Sequence, residues 1–201
     1  MGVLTSHAIH FTLNLRWEDL PASVQHQAKR CLMDTLGAMF AGSQTPAAGI
    51  VREMAIEQFG GNQATIMVNG QRVSAAGAAL ANGFSGNALD IDDGYRNVKG
   101  HPGACALAPV LAAAELAGGC TGAEFLTALV VAYELGIRAG VIRHATYAVY
   151  HSSGSWGAIA GAAAAGCLVG LTKGQIFHAM GAAEYHAPIA PMMKGIDTPA
   201  M

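Results

Sequence analysis

From Ser152 to Leu171 the chain carries no charged side chain, and most positions are Ala or Gly. Few folds accept such a stretch. It is long enough to span a bilayer, and Gly157-x-x-x-Gly161 and Gly166-x-x-x-Gly170 have the spacing of close helix contacts in lipid. It lacks the Leu, Ile and Phe density that drives insertion. The stretch therefore predicts a helix buried against other helices in a soluble core, with no membrane involved. Ser152 or Ser153 would cap it, and it would run to about residue 169.

The rest of the chain supplies the partners. Residues 5–15 have helical spacing. Val24, Ala28, Cys31, Leu32, Thr35, Leu36, Met39 and Phe40 follow at three- and four-residue steps behind Pro21, predicting a helix over 21–41 that Gly42 ends. Pro46 opens another helix, closed by Gly60-Gly61. Asn69-Gly70 lies between two short β-prone runs and predicts a hairpin. Ser74 can cap a helix over 75–88, and a further helix is expected over 103–118. Thr121-x-x-Glu124 and Thr172-x-x-Gln175 read as capping boxes, opening helices to about His144 and Tyr185. Residues 187–201, with Pro188, Pro191 and Pro199, read as irregular. There is no βαβ alternation. The expected class is all-α, a helical bundle with one small β-hairpin, forming a single domain over residues 1–201.

Charge then limits the partners. Charged residues make up 12% of the chain, about half the roughly 25% of an average protein. So few charges cannot cover a free-standing surface, which predicts a second subunit or further chain over much of it. With a net charge of -2 and no basic runs, nucleic acid is excluded as a partner. Cys31, Cys105, Cys120 and Cys167 are scattered and read as small buried hydrophobes of a reducing cytoplasm. The first residues lack a signal-peptide pattern, which gives the same cytoplasmic expectation.

The ionisable residues concentrate in residues 82–103. Three of the thirteen acidic residues, Asp90, Asp92 and Asp93, fall within four positions, and Arg96, Lys99 and His101 follow. A carboxylate can hold an imidazole in one tautomer, and that imidazole can then move a proton. The bland alternative is a solvated loop whose aspartates cap the next turn. A calcium loop fits poorly, since Tyr95 stands where Gly is needed and His101 where Glu is needed. The D-x-D-D string of class II terpene cyclases would need an aromatic-lined pocket, and aromatics are only 6%. His151 precedes a helix start, where the dipole favours a neutral base; an ordinary capping residue is the alternative. His186 and Lys194 lie in the last stretch, where either could face a pocket. His7, His10, His26, His144 and His178 read as surface or packing residues. Ser153 and Ser155 are not in a G-x-S-x-G elbow, and there is no P-loop and no G-x-G-x-x-G.

Six strings together carry a family resemblance: Asp34-Thr-Leu-Gly37; Ala79-Leu-Ala-Asn-Gly83; Ala88-Leu-Asp-Ile-Asp-Asp93; His101-Pro-Gly103 leading to Pro109-Val-Leu-Ala-Ala-Ala-Glu115; Tyr133-Glu-Leu-Gly-Ile-Arg138; and His151 ahead of Trp156-Gly157. In this order they resemble the MmgE/PrpD family, which includes 2-methylcitrate dehydratase, cis-aconitate decarboxylase and iminodisuccinate epimerase. The resemblance implies a large helical domain and a smaller α/β lid, typically in a homodimer, with the active site in the cleft between them. It implies no metal and no organic cofactor. It assigns Asp90, His101 and His151 to an acid/base site, and Arg96, Lys99 and Lys194 are the candidates to bind substrate carboxylates. Gly94 and Tyr95 stand where the family often has Thr and His, so substrate contacts there must differ. The chain is less than half a typical member, without the lid or the rest of the helical domain. The expected activity of the whole is proton transfer next to a carboxylate of a small polycarboxylate, foremost dehydration of the 2-methylcitrate type. A homodimer or a complementing C-terminal half would complete it. The rival is a non-catalytic helical module that supplies an interaction surface.

Overall fold

The structure, a computed structural model, describes residues 2–147, 149 and 151–188. Among these residues it is an all-α bundle with a single two-stranded hairpin, as the helical spacing predicts. The helices are α1 (Val3–Asn14), α2 (Ala22–Gly42), α3 (Pro46–Gln58), α4 (Ala75–Asn87), α5 (Pro102–Leu116), α6 (Gly122–Thr146), α7 (Gly154–Leu168) and α8 (Lys173–His186). The strands are β1 (Ala64–Thr65) and β2 (Arg72–Val73).

Side chains at the helix starts explain four of the boundaries. Thr45 accepts from Ala48 N–H and Ser74 from Gly77 N–H, each satisfying a donor that the first turn leaves open. Both capping boxes close reciprocally, Thr121 with Glu124 and Thr172 with Gln175. Arg143 of α6 pairs with Glu184 of α8 at 3.3 Å.

The core sits where α5, α6 and α7 meet, around Leu107, Val110, Leu129, Val131, Ala160, Ala163 and Ala164. Small residues let these helices touch. A Cβ on Gly157 would stand 2.5 Å from Cys105 Sγ, so α5 and α7 approach at a distance that only glycine permits. Gly42 has the same role elsewhere: a Cβ there would overlap the Ser85 carbonyl, so it is a contact point for α4 as well as the end of α2.

The charge-free stretch forms the expected buried helix, an α7 of 15 residues that is too short to span a bilayer. The described helix with the length and composition to do so is α6, and its Leu129, Val131 and Leu135 lie in the bundle core. The expected hairpin forms, with Asn69 and Gly70 inside its loop. Thr65 pairs with Arg72, and Ile66 N–H bonds the Gln71 carbonyl, so the loop is Met67–Gly70. Val68 and Gly70 both take left-handed backbone. The cause is Asn82 on α4, which is 1% exposed: it accepts from Met67 N–H at 2.8 Å and donates to the Thr65 carbonyl at 3.0 Å. Satisfying this buried amide sets the register. The four cysteines are free thiols, but they are not the fully buried residues expected: Cys31, Cys105 and Cys167 are half-buried and Cys120 is exposed. His186 ends α8 and is exposed instead of lying in an irregular tail. Lys194, Pro191 and Pro199 lie outside the described residues, as does Tyr150.

Candidate active site

The acidic loop hangs between α4 and α5, with each end fixed. Asn87, the last residue of α4, donates to Asp92 Oδ1 at 2.9 Å. Tyr95 and Gly100 pair across a short antiparallel bridge, enclosing a 3₁₀ turn at Arg96–Val98. Val98 is fully buried and points toward α6, where a Cβ on Gly140 would come within 2.8 Å of it. His101 is the residue before α5, whose first position is Pro102, the preferred residue there because it lacks an N–H to satisfy.

The three aspartates have three environments. Asp93 Oδ1 accepts from Gly103 N–H at 2.7 Å, capping α5 from outside the helix. Burial pushes its carboxyl above the usual range, and the Gly103 bond and the Tyr133 hydroxyl pull it back. Tyr133 is itself held well above an ordinary phenol by burial and by Asp93, and it also faces Thr35, which is fully buried. Asp93 is thus a structural cap. Asp92 has its side chain fully shielded, and burial raises its pKa against the opposing pull of Asn87 and His101. Its Oδ2 has no hydrogen-bond partner among the described residues. Asp90 has a left-handed backbone (φ 55) and an exposed side chain. A non-glycine residue in that region is uncommon and often marks a site where side-chain direction matters.

His101 joins two of them. Its Nε2 lies 3.0 Å from Asp90 Oδ1. Its Nδ1 lies 3.1 Å from the Asp92 carbonyl and 3.4 Å from Asp92 Oδ1. Every neighbour in this set is an oxygen, so whichever ring nitrogen carries a proton has an acceptor facing it. By spacing alone Asp90, Asp92 and His101 could hold a cation, since one ligand atom from each lies within 4.8 Å of the others. But the ring turns different nitrogens to the two carboxylates, and one imidazole cannot aim a single lone pair between both. The geometry suits proton handling better than chelation.

His151 is 2% exposed, three residues ahead of α7. Its ring meets Tyr147 edge-on, with centroids 5.1 Å apart. It also influences His144, which burial holds below an ordinary histidine while a bond to the Val98 backbone pulls the other way. A hydrogen bond ties the segment to the acidic loop: His101 N–H donates to Ser153 Oγ at 2.9 Å. The structure therefore brings Asp90 and His101 into contact and anchors the His151 segment to the same loop. Arg96 and Lys99 are exposed on the 3₁₀ turn, and Lys99 has left-handed backbone. Arg96 forms no ion pair with a described residue.

Three participants were not singled out from sequence. Asn87 carried no signal beyond standing five residues before Asp92. Ser153 read as a helix cap, although its hydroxyl makes no cap bond. His144 read as a helix-end residue. Cys105, packed under the loop, is inert: burial, with Asp92 and Asp93 nearby, pushes its thiol up to about 12. An open cavity of about 580 Å³ lies elsewhere, lined by Arg72, Glu115, Cys120 and Phe125. Its Glu115 is already engaged by Thr65 at 2.6 Å and Arg72 at 2.8 Å, which fasten the hairpin to α5. That pairing leaves the Glu115 carboxylate engaged in structure.

Comparison with known proteins bears on the whole chain. Residues 7–193 match the MmgE/PrpD N-terminal domain. Among curated relatives, a cis-aconitate decarboxylase of Aspergillus terreus is 28% identical over 189 residues, covering 90% of this chain and 38% of the relative. The cis-aconitate decarboxylase-like protein oryM of Aspergillus oryzae (strain ATCC 42149 / RIB 40) is 28% identical over 195 residues, covering 90% and 40%. The chain thus spans about two fifths of the length of the curated relatives it matches. With a family match over nearly its full length, around the same loop and helices that build the site, this chain belongs to the MmgE/PrpD family.

Proposed function

We propose that the chain is the proton-handling part of an enzyme that moves a proton on a carbon next to a carboxylate of a small polycarboxylate. The observation that carries this reading is the His101 ring, held at Nε2 by Asp90 (3.0 Å) and at Nδ1 by the Asp92 carbonyl (3.1 Å). A ring oriented on both sides can give or take a proton at a fixed place. Asp90 orients it on the solvent side, His151 is the second proton-handling group, and Arg96, Lys99 and Lys194 bind substrate carboxylates.

The relatives' names favour loss of CO2 over the 2-methylcitrate-type dehydration that the resemblance first suggests. In that step the C–C bond to one carboxylate breaks and CO2 leaves. The electron pair stays on carbon and takes a proton from an imidazole N–H. Dehydration is the second reading, with a C–H proton going to one imidazole as base while a protonated second group gives its proton to the leaving hydroxyl, which departs as water. No metal and no organic cofactor enters either scheme. The exposed apolar side chains Met33, Phe40, Ile50 and Ile91 support a covering partner, either a second copy or a complementing C-terminal half. Four free thiols are compatible with a reducing cytoplasm.

The test is to assay the complete enzyme, with its C-terminal remainder, against a panel of small tricarboxylates while following CO2 release. His101→Gln and His151→Gln should each lower turnover by about 10²–10⁴-fold. Full turnover in both variants, or no reaction with any polycarboxylate, would leave the non-catalytic module as the better reading.

A further inference from the structure

From its position Ser153 should cap α7, yet its side chain makes no cap bond and its backbone is already helical (φ -56, ψ -31). The hydroxyl turns outward instead and accepts from the His101 N–H at 2.9 Å, across 52 positions of sequence. Capping the helix locally would satisfy one of its open N–H groups. The fold forgoes this and spends the hydroxyl on the backbone of the residue that carries the imidazole.

A second observation comes from the other side of the contact. A Cβ on Gly100 would overlap Ser153 Oγ and crowd Trp156 Cζ2 at 3.2 Å. The absence of a side chain at Gly100 is therefore what lets the hydroxyl reach the next residue's N–H. This is also a junction between elements. Gly100 closes the bridge with Tyr95, His101 precedes α5, and Ser153 lies two residues beyond His151. One hydrogen bond thus couples the start of α5, the acidic loop and the segment that bears His151.

We infer that Ser153 is a positioning residue for the proton transfer, setting His101 against the His151 segment through the His101 N–H. The inference rests on the proposed role of His101. It acts through His101 and involves no contact between Ser153 and substrate. Because near-attack geometry is steep, with misplacement by about 1 Å costing up to roughly 10²-fold, a loosened ring should show in turnover rather than in substrate binding.

The experiment compares Ser153→Ala, Ser153→Thr, Gly100→Ala and His101→Gln in the complete enzyme. It measures kcat and KM across pH, with thermal melts alongside. Ser153→Ala should lower kcat by about 10- to 100-fold with KM within about twofold, and should displace the pH dependence of kcat. Ser153→Thr, which keeps the hydroxyl, should restore most of the rate. Gly100→Ala should repeat the loss without altering Ser153, and it carries the test if Ser153→Ala does not fold. Unchanged kcat and pH profile in both Ser153→Ala and Gly100→Ala would overturn the inference, as would Ser153→Thr falling as far as Ser153→Ala. Full turnover in His101→Gln would instead overturn the proton-transfer reading. An inactive His101→Gln beside a fully active Ser153→Ala would remove only the positioning role.

Discussion

Asp90 and Asp92 reach the same imidazole from opposite environments: the side chain of Asp90 is 81% exposed and that of Asp92 is 0% exposed. Two carboxylates two residues apart thus differ in what water can do for them. The exposed one can exchange protons and meet substrate. The shielded one holds the ring and carries the cost of burial.

Asp90→Asn in the complete enzyme should therefore reduce turnover by about 10²-fold or more while leaving the fold intact. The side chain is exposed, so its loss should change stability by only about 0.5 kcal/mol. Steady-state kinetics with a chemical denaturation curve checks both parts. Unchanged turnover would remove Asp90 from the mechanism.

Asp92 makes a prediction about pH. Burial raises its folded pKa above 3.8, so the folded state binds the proton more tightly than the unfolded state does. Stability contributed by this group is then present below the unfolded value and declines as pH rises through the folded one. Asp92→Asn keeps an acceptor for Asn87 and cannot ionise. Its melting temperature should equal or exceed the parent's near neutral pH, and the difference should shrink once the medium is more acidic than the unfolded pKa. A constant deficit at every pH would show that the carboxylate is favourable where it is.

Packing between α5 and α7 predicts that Gly157→Ala will be costly. The added methyl would meet Cys105 Sγ at 2.5 Å in a core with no slack. Overpacking of this kind costs about 1–3 kcal/mol. Denaturant unfolding should show that loss, and Cys105→Ala in the same chain should recover part of it. Full stability of Gly157→Ala alone would mean the helices can separate without cost.

The exposed apolar side chains predict association. Met33 is 76% exposed, Ile50 69% and Ile91 58%. Light scattering on this chain should report a mass above that of one copy, and charged substitutions at Met33 and Ile50 should lower it. A well-behaved monomer at high concentration would contradict the expectation of a covering partner.

Local chemistry was readable from sequence, and long-range chemistry was not. Thr121 with Glu124 and Thr172 with Gln175 announced two helix starts because both members of each box lie within one turn. Ser74 and Pro46 did the same for α4 and α3. The hairpin register escaped because Asn82, which sets it, lies on another element. Ser153 escaped for the same reason: its sequence context describes a cap, and its partner comes from the far side of α5 and α6. The cluster of acids was visible, but not its division into cap, shielded ligand and exposed partner, since that division depends on which carboxylate the bundle covers. His101 with Asp90 came from the family resemblance and from charge density. Arg96 and Lys99 were legible as basic residues near the site, while their exposure was not.

Val98 is the one fully buried residue of its 3₁₀ turn, seated where Gly140 leaves room in α6, with exposed Arg96, Asn97 and Lys99 around it. The turn is therefore a peg with replaceable facets. Combinatorial libraries at positions 96, 97 and 99 can vary charge and size at the rim while Val98 keeps the loop moored, making this the place to begin redesigning what the family scaffold accepts.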